Sequence, residues 1–223
     1  MFSHESPDEL RAQYARRFTA MQDYRQRMWS VLTAQYFQQF IPEQGSVLDL
    51  GCGWGEFINQ IKGARKFGMD LNPDSGPRLA DGVQFLHQDC SESWQLERGS
   101  LDTVFTSNFF EHLPGKAALK ATLAHAFTAL KPGGRLIALG PNVKAIGGAY
   151  WDFFDHHVML TEQSLREILE LAGFTTERCI ARFLPYTAVG KPQAPLWMIR
   201  LYLKLPIVWR FFGGQFLLVV RRP

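Results

Sequence analysis

No stretch of this chain offers an apolar run long enough to cross a bilayer. Its most apolar region, between Tyr186 and Gly213, is broken by Arg200, Lys204, Pro206 and Arg210, inside every window of about 20 residues that a span requires. Cysteine is scarce: Cys52, Cys90 and Cys179 stand far apart. That excludes a disulfide frame and a metal-binding cysteine motif, and it predicts a cytoplasmic, reducing setting. Blocks of Lys and Arg are missing, and a net charge of +3 is too small to attract nucleic acid by itself. The leading residues MFSHESPDEL are polar and acidic, unlike a signal peptide. Internal repeats and low-complexity segments are absent too. What is there is ordinary for a globular protein: 223 residues, 46% hydrophobic and 20% charged, enough for one domain with a sizeable core.

The densest information lies in VLDLGCGWGEF, Val47 to Phe57. Val47, Leu48 and Leu50 read as a buried strand. The strand runs into alternate glycines at Gly51, Gly53 and Gly55, which let backbone turn sharply and approach a ligand closely. Glu56 to Lys62 are expected to begin a helix, whose free N–H groups would face a ligand over the turn. A dinucleotide fingerprint would need a glycine where Glu56 stands. The acidic Asp49 and Glu56 suit a cationic ligand better than a pyrophosphate.

Further strands follow in order. Arg65–Leu71 is expected to end on Asp70, about 20 residues beyond Asp49, where a carboxylate can accept from both hydroxyls of a ribose. Val83–Cys90 reads as a third strand ending on Asp89, and Leu101–Pro114 begins as a fourth running into Asn108, Phe109, Phe110, Glu111 and His112. Ala129–Asn142 resembles a late motif in which a helix stops at Pro132-Gly133-Gly134 and a fifth strand follows.

The spacing D-x-G-x-G-x-G, with these elements behind it, resembles the class I methyltransferases that use S-adenosylmethionine (SAM). The resemblance implies an α/β, Rossmann-like sheet of seven strands, mostly parallel, with the last strand antiparallel. It implies SAM as cofactor, with S-adenosylhomocysteine as product. It places cofactor contacts on Asp49, Gly51, Cys52, Gly53, Gly55, Phe57, Asp70, Leu71, Asp89, Cys90, Asn108 and Phe109, with Asp89 reaching the adenine amino group.

The chain is expected to form one domain in four stretches. Residues 1–44 are a helical cover, with Leu10, Tyr14, Phe18, Met21, Tyr24, Met28, Leu32 and Tyr36 at helical spacing. Residues 45–184 are the binding core, 185–213 an aromatic and basic helical insertion, and 214–223 the last strand. In the cover, Tyr14, Arg25 or Trp29 either touches the ligand or simply packs on the sheet. In the insertion, Arg200 and Lys204 would share one helix face, while Leu196, Ile199 and Leu203 lie near one another on another. Pro195–Phe212 therefore reads either as a lid, core or homodimer segment, or as a peripheral contact with a membrane, where a basic stripe would lie beside Trp197, Tyr202 and Trp209.

Methyl transfer from a sulfonium is an in-line displacement that needs alignment. An alcohol acceptor also needs its proton removed. Candidate bases cluster in YWDFFDHHVML, where Asp152, Asp155, His156 and His157 precede Thr161, the expected N-cap of a helix. His112 is a further candidate on the same rim. A purely structural role for the cluster stays open. Joint metal ligation is not expected, since adjacent histidines on extended backbone point to opposite sides. Asn108 and Asn142 are candidates for contact at strand ends.

The run Arg25–Trp29, EFIN (Glu56–Asn59), SNFFEHL (Ser107–Leu113) and YWDFFDHH together resemble methyltransferases encoded among bacterial polysaccharide-biosynthesis functions. That resemblance implies O-methylation of a sugar in a glycan or glycolipid precursor. Two other classes remain: a small-molecule O- or N-methyltransferase whose acceptor stacks on Phe109, Phe110, Tyr150, Trp151 or Phe153, and a non-catalytic SAM-binding scaffold for a membrane-bound glycosyltransferase.

Overall fold

The structure, a computed structural model, describes residues 21–186 and 193–223. The expected helix start at Pro7, with Leu10, Tyr14 and Phe18, lies outside them. The described chain begins with α1 (Gln22–Leu32), which passes through a π turn (Thr33–Phe37) and a 3-10 turn (Gln38–Phe40). Seven strands follow: β1 (Ser46–Leu50), β2 (Arg65–Asp70), β3 (Val83–His87), β4 (Leu101–Ser107), β5 (Leu130–Pro141), β6 (Thr175–Ile180) and β7 (Gln215–Arg221). They form one sheet in the order β3-β2-β1-β4-β5-β7-β6. β1 to β5 pair in parallel, and β7 lies antiparallel between β5 and β6. The expected Rossmann-like methyltransferase sheet is therefore what forms.

Both faces of the sheet are covered, as parallel strands require. Leu48, Leu50, Val104, Leu136, Phe216, Leu218 and Val220 face one layer. That layer holds α2 (Lys116–Ala129) and α4 (Glu162–Leu171). Alternate residues Val47, Phe105, Ile137, Leu217 and Val219 face the other layer, with Trp29, Phe37, Phe57, Phe183, Leu203 and Trp209. The near-continuous apolar text of β1 and β7 follows from this double burial.

Several local expectations are corrected. Residues 56–62 form turns instead of a helix, because their bonds mix spacings: Asn59 N–H donates to Gly55 O, but Gln60 N–H donates to Phe57 O. Phe57, Ile58 and Ile61 are nonetheless drawn into the core. Nor does the helix before β5 stop at Pro132-Gly133-Gly134. α2 ends at Ala129, and the tripeptide bulges inside β5, where the register jumps from Leu101↔Leu130 to Thr103↔Arg135. The crossovers from β1 to β4 are turns and a 3-10 segment (Pro73–Arg78), not α-helices.

After β5 a short α3 (Val143–Ile146) and a 3-10 turn (Gly147–Asp152) lead towards α4. Its N-terminus carries the expected cap: Thr161 and Ser164 bond reciprocally in a capping box. The insertion before β7 is two helices, α5 (Leu196–Lys204) and α6 (Pro206–Phe212), with Pro206 opening the second. Tyr202 and Trp209 do not stand beside a surface stripe. Trp209 is buried with its ring 4.9 Å from Phe183, and it donates its indole N–H to Tyr202 O at 2.7 Å. No helix among the described residues is long and apolar enough to cross a membrane.

Candidate active site

A cavity of about 500 Å³ opens at the carboxyl ends of β1 and β4, the place where open α/β sheets hold ligands. Asp49, Gly51, Cys52, Gly53 and Phe57 form its floor, and Phe57 stacks on Phe105 at 3.6 Å. α1 roofs it with Tyr24, Arg25 and Trp29; α5 and α6 add Met198, Tyr202 and Phe212. Arg25 joins roof to floor through a 2.8 Å ion pair with Glu56. Of the residues expected to touch a ligand from the cover, Arg25 and Trp29 line the cavity, and Tyr14 lies outside the described residues.

The glycine turn is held from behind. Gly51 and Cys52 N–H groups both donate to Met69 O, and Gly53 N–H donates to Asp70 Oδ2 at 2.8 Å. These amides are thus occupied within the protein, unlike the open helix N-terminus expected from the sequence. Asp70 also accepts from Asn72 N–H at 2.8 Å. Burial raises its carboxyl above the usual range, partly offset by those backbone donors. Burial, with the charge of Glu56 beside it, holds Asp49 well above the usual range. A cationic ligand over this floor would favour the ionised form.

The remaining expected cofactor positions divide. Asn108 lines the cavity and ends β4 in the left-handed region, φ 49°, a strain that asparagine tolerates better than most residues. Gly55, Asp70, Leu71, Asp89, Cys90 and Phe109 do not line it. Leu71 is 49% exposed. Asp89 closes a local turn on Ser91, and Cys90 is buried with its thiol against Thr122. Phe109 packs behind Gly51. Asn142 is structural: it donates to Glu162 and to Ala181 O, and it caps α3.

Beyond the glycine turn the cavity meets a cluster that the fold assembles from two segments. His112 Nδ1 lies 3.0 Å from Asp155 Oδ2 and 3.1 Å from Asp155 O, although the residues are 43 positions apart. His156 Nδ1 lies 2.8 Å from Tyr150 O, and the two imidazole centroids are 4.9 Å apart. A carbonyl or carboxylate oxygen can only accept, so both Nδ1 atoms carry hydrogen and a neutral ring keeps its lone pair on Nε2. Burial alone would lower the pKa of His112; the Asp155 hydrogen bond and the charges of Glu111 and Asp155 outweigh it and raise the value. Glu111, buried at the same spot, is pushed up to about 7 by desolvation, against the pull of His112.

Thus His112 and His156 line the cavity, and Asp155 touches it through His112. His157 does not line the cavity; its side chain is exposed, and its backbone N–H donates to Glu111 O. Asp152 is exposed as well. Glu111 is the participant that the sequence reading passed over. Its signal was present in the Glu111-His112 pair at a strand end, but its burial was not.

Residues 15–178 match the family model described as a methyltransferase domain. No curated protein matches the chain. Among solved structures, it resembles a chain of the complex that joins the Haloferax volcanii Trm112 methyltransferase activator to a methyltransferase, with 22% identity, TM-score 0.68 and 97% of each chain covered. A SAM-dependent methyltransferase from Archaeoglobus fulgidus is 19% identical over 88% of this chain and 94% of that one, with TM-score 0.65. One from Mesorhizobium loti is 17% identical over 82% and 94%, with TM-score 0.61. At such identities the likeness is one of fold.

Proposed function

Because the chain belongs to the methyltransferase-domain family, with SAM as its cofactor, we propose that it transfers the SAM methyl group to a hydroxyl, that of a sugar in a polysaccharide or glycolipid precursor. The observation that carries this reading is the oriented imidazole cluster beyond the glycine turn. An amine acceptor would not require such a group, whereas a hydroxyl must lose a proton to become a good nucleophile. The acceptor oxygen attacks the methyl carbon in line with the C–S bond. The bond's electron pair passes to sulfur, leaving S-adenosylhomocysteine. The hydroxyl proton leaves through the cluster of Glu111, His112 and His156, with Asp155 positioning His112. His157 takes no part.

The insertion supports work beside an anionic membrane surface, where a lipid-linked glycan would be met. Trp197 and Phe211 are 63% and 75% exposed, Leu201 and Ile207 are exposed near them, and Arg200, Lys204 and Arg210 accompany them without any acidic residue from Pro195 to Phe212. Apolar side chains with interspersed basic ones bind such interfaces through burial and charge together.

Mass spectrometry after incubation with SAM and a panel of sugars, lipid-linked sugars, phenols and amines tests the reading. The expected result is a sugar heavier by one CH₂ with S-adenosylhomocysteine formed alongside. A methylated phenol or amine would replace the sugar reading. SAM binding without turnover on the whole panel would favour the scaffold role.

A further inference from the structure

The geometry points to a divalent transition-metal site formed by Glu111, His112 and His156 at the acceptor end of the cavity. One donor atom from each residue lies within 4.8 Å of the others. Tetrahedral ligation with bonds near 2.0–2.1 Å would set neighbouring donors roughly 3.4 Å apart, so side-chain rotations of about 1 Å complete the contact. Two histidines and one glutamate make a known zinc donor set that leaves a position open, and the same set serves other first-row divalent ions.

Three observations point to an ion. Glu111 is 3% exposed, faces the cavity, and its carboxylate accepts no hydrogen bond from another described residue. A buried carboxylate in that position gains most from a cation. Both imidazoles are committed through Nδ1, His112 to Asp155 and His156 to the Tyr150 carbonyl. That arrangement fixes each ring and would make Nε2 the ligating atom, as the outer hydrogen bonds of metal-bound histidines do. Finally, the charges close: Glu111 and Asp155 together offset a dication, so a bound ion would not repel a neighbouring sulfonium. His157 is exposed and does not line the cavity. The second imidazole comes from His112 instead.

The inference rests on the reading that this cluster activates the acceptor, and it supplies the agent. An acceptor hydroxyl bound at the open position would be acidified by the ion. With Glu111, His112 and His156 holding the ion, the proton would leave to solvent at the cavity mouth instead of through these side chains, and the acceptor oxygen would then attack the methyl carbon while the C–S pair passes to sulfur.

Calorimetric titration of the metal-stripped full chain with Zn²⁺, and electron paramagnetic resonance with Mn²⁺, tests it. The expected result is one ion per chain, with affinity falling at least about tenfold in His112→Ala and Glu111→Gln while SAM affinity persists as a check on folding. Binding that is unchanged in both variants would locate the ion elsewhere and overturn the proposal. So would no binding to the unaltered chain. If the ion is absent yet a sugar is methylated, the metal fails and the hydroxyl-transfer reading stands. If the ion binds as expected and only amines are methylated, the site stands and the sugar reading fails.

Discussion

Gly51 holds φ at +71°, and a Cβ built there would lie 2.3 Å from the Phe109 ring. Alanine would pay the left-handed penalty of about 1–2 kcal/mol and displace Phe109 as well. We expect Gly51→Ala to lower the thermal midpoint and weaken SAM binding, read by a melting curve and calorimetry. Asp49 gives a pH signature. Its carboxyl titrates well above the usual range because it is buried beside Glu56, and a bound cation favours its ionised form. SAM binding should therefore release a proton, and affinity should rise with pH until Asp49 is ionised in the free protein. Calorimetry in buffers of unequal ionisation enthalpy reads the proton, and Asp49→Asn should abolish the release. Asp70→Ala is expected to weaken SAM binding about tenfold or more, with loss of the brace on Gly53 contributing. These roles were unequally legible. Asp49 and the glycines announce themselves by spacing. The choice of His156 over His157 was not readable, because it depends on the path of the loop. The pairing of His112 with Asp155 depends on two distant segments meeting at one end of the sheet.

The helix α4 shows how a sequence signal becomes stability. Thr161 is the N-cap expected from the sequence, and in the structure it forms a capping box with Ser164, so Thr161→Ala should cost about 1 kcal/mol in chemical denaturation. Beside them Glu162 accepts from Asn142 at 2.6 Å and from Lys144 at 3.2 Å. Burial alone would raise its carboxyl, but these partners outweigh burial and hold it below the usual 4.5. A folded-state value below the unfolded one contributes stability above pH 4.5, and that contribution is lost as pH falls through the depressed value. Glu162→Gln should therefore flatten the acid limb of a stability-against-pH curve. Segments 56–62 and 130–134 read less well. In the first, mixed hydrogen-bond spacings replace a regular helix; in the second, strand pairing takes in the Pro-Gly-Gly turn, and no local pattern states which partner will win.

At the scale of the molecule, the sheet was the most legible part, since strands buried on both faces carry apolar text that survives any uncertainty in their ends. The insertion was legible as aromatic and basic, but not in its division of labour. Tyr202 and Trp209 face inward, while Trp197, Ile207 and Phe211 face out. If the outward face meets anionic lipid, the triple variant Arg200→Glu, Lys204→Glu, Arg210→Glu should lose sedimentation with anionic vesicles and keep SAM affinity. Equal sedimentation would remove the membrane reading.

The placement of β7 carries a consequence for how the molecule is made. β5 and β6 are each hydrogen-bonded to β7, which follows both in the sequence and lies between them. While the chain emerges from a ribosome, they must wait on either side of a gap, with Leu136, Ile137, Ala138 and Leu139 lacking one neighbour. The cavity roof from α5 and α6 is synthesised just before that gap closes. The nascent chain thus holds its ligand site unfinished until its latest strand arrives, a vectorial order in which cofactor can help only at the final step of folding.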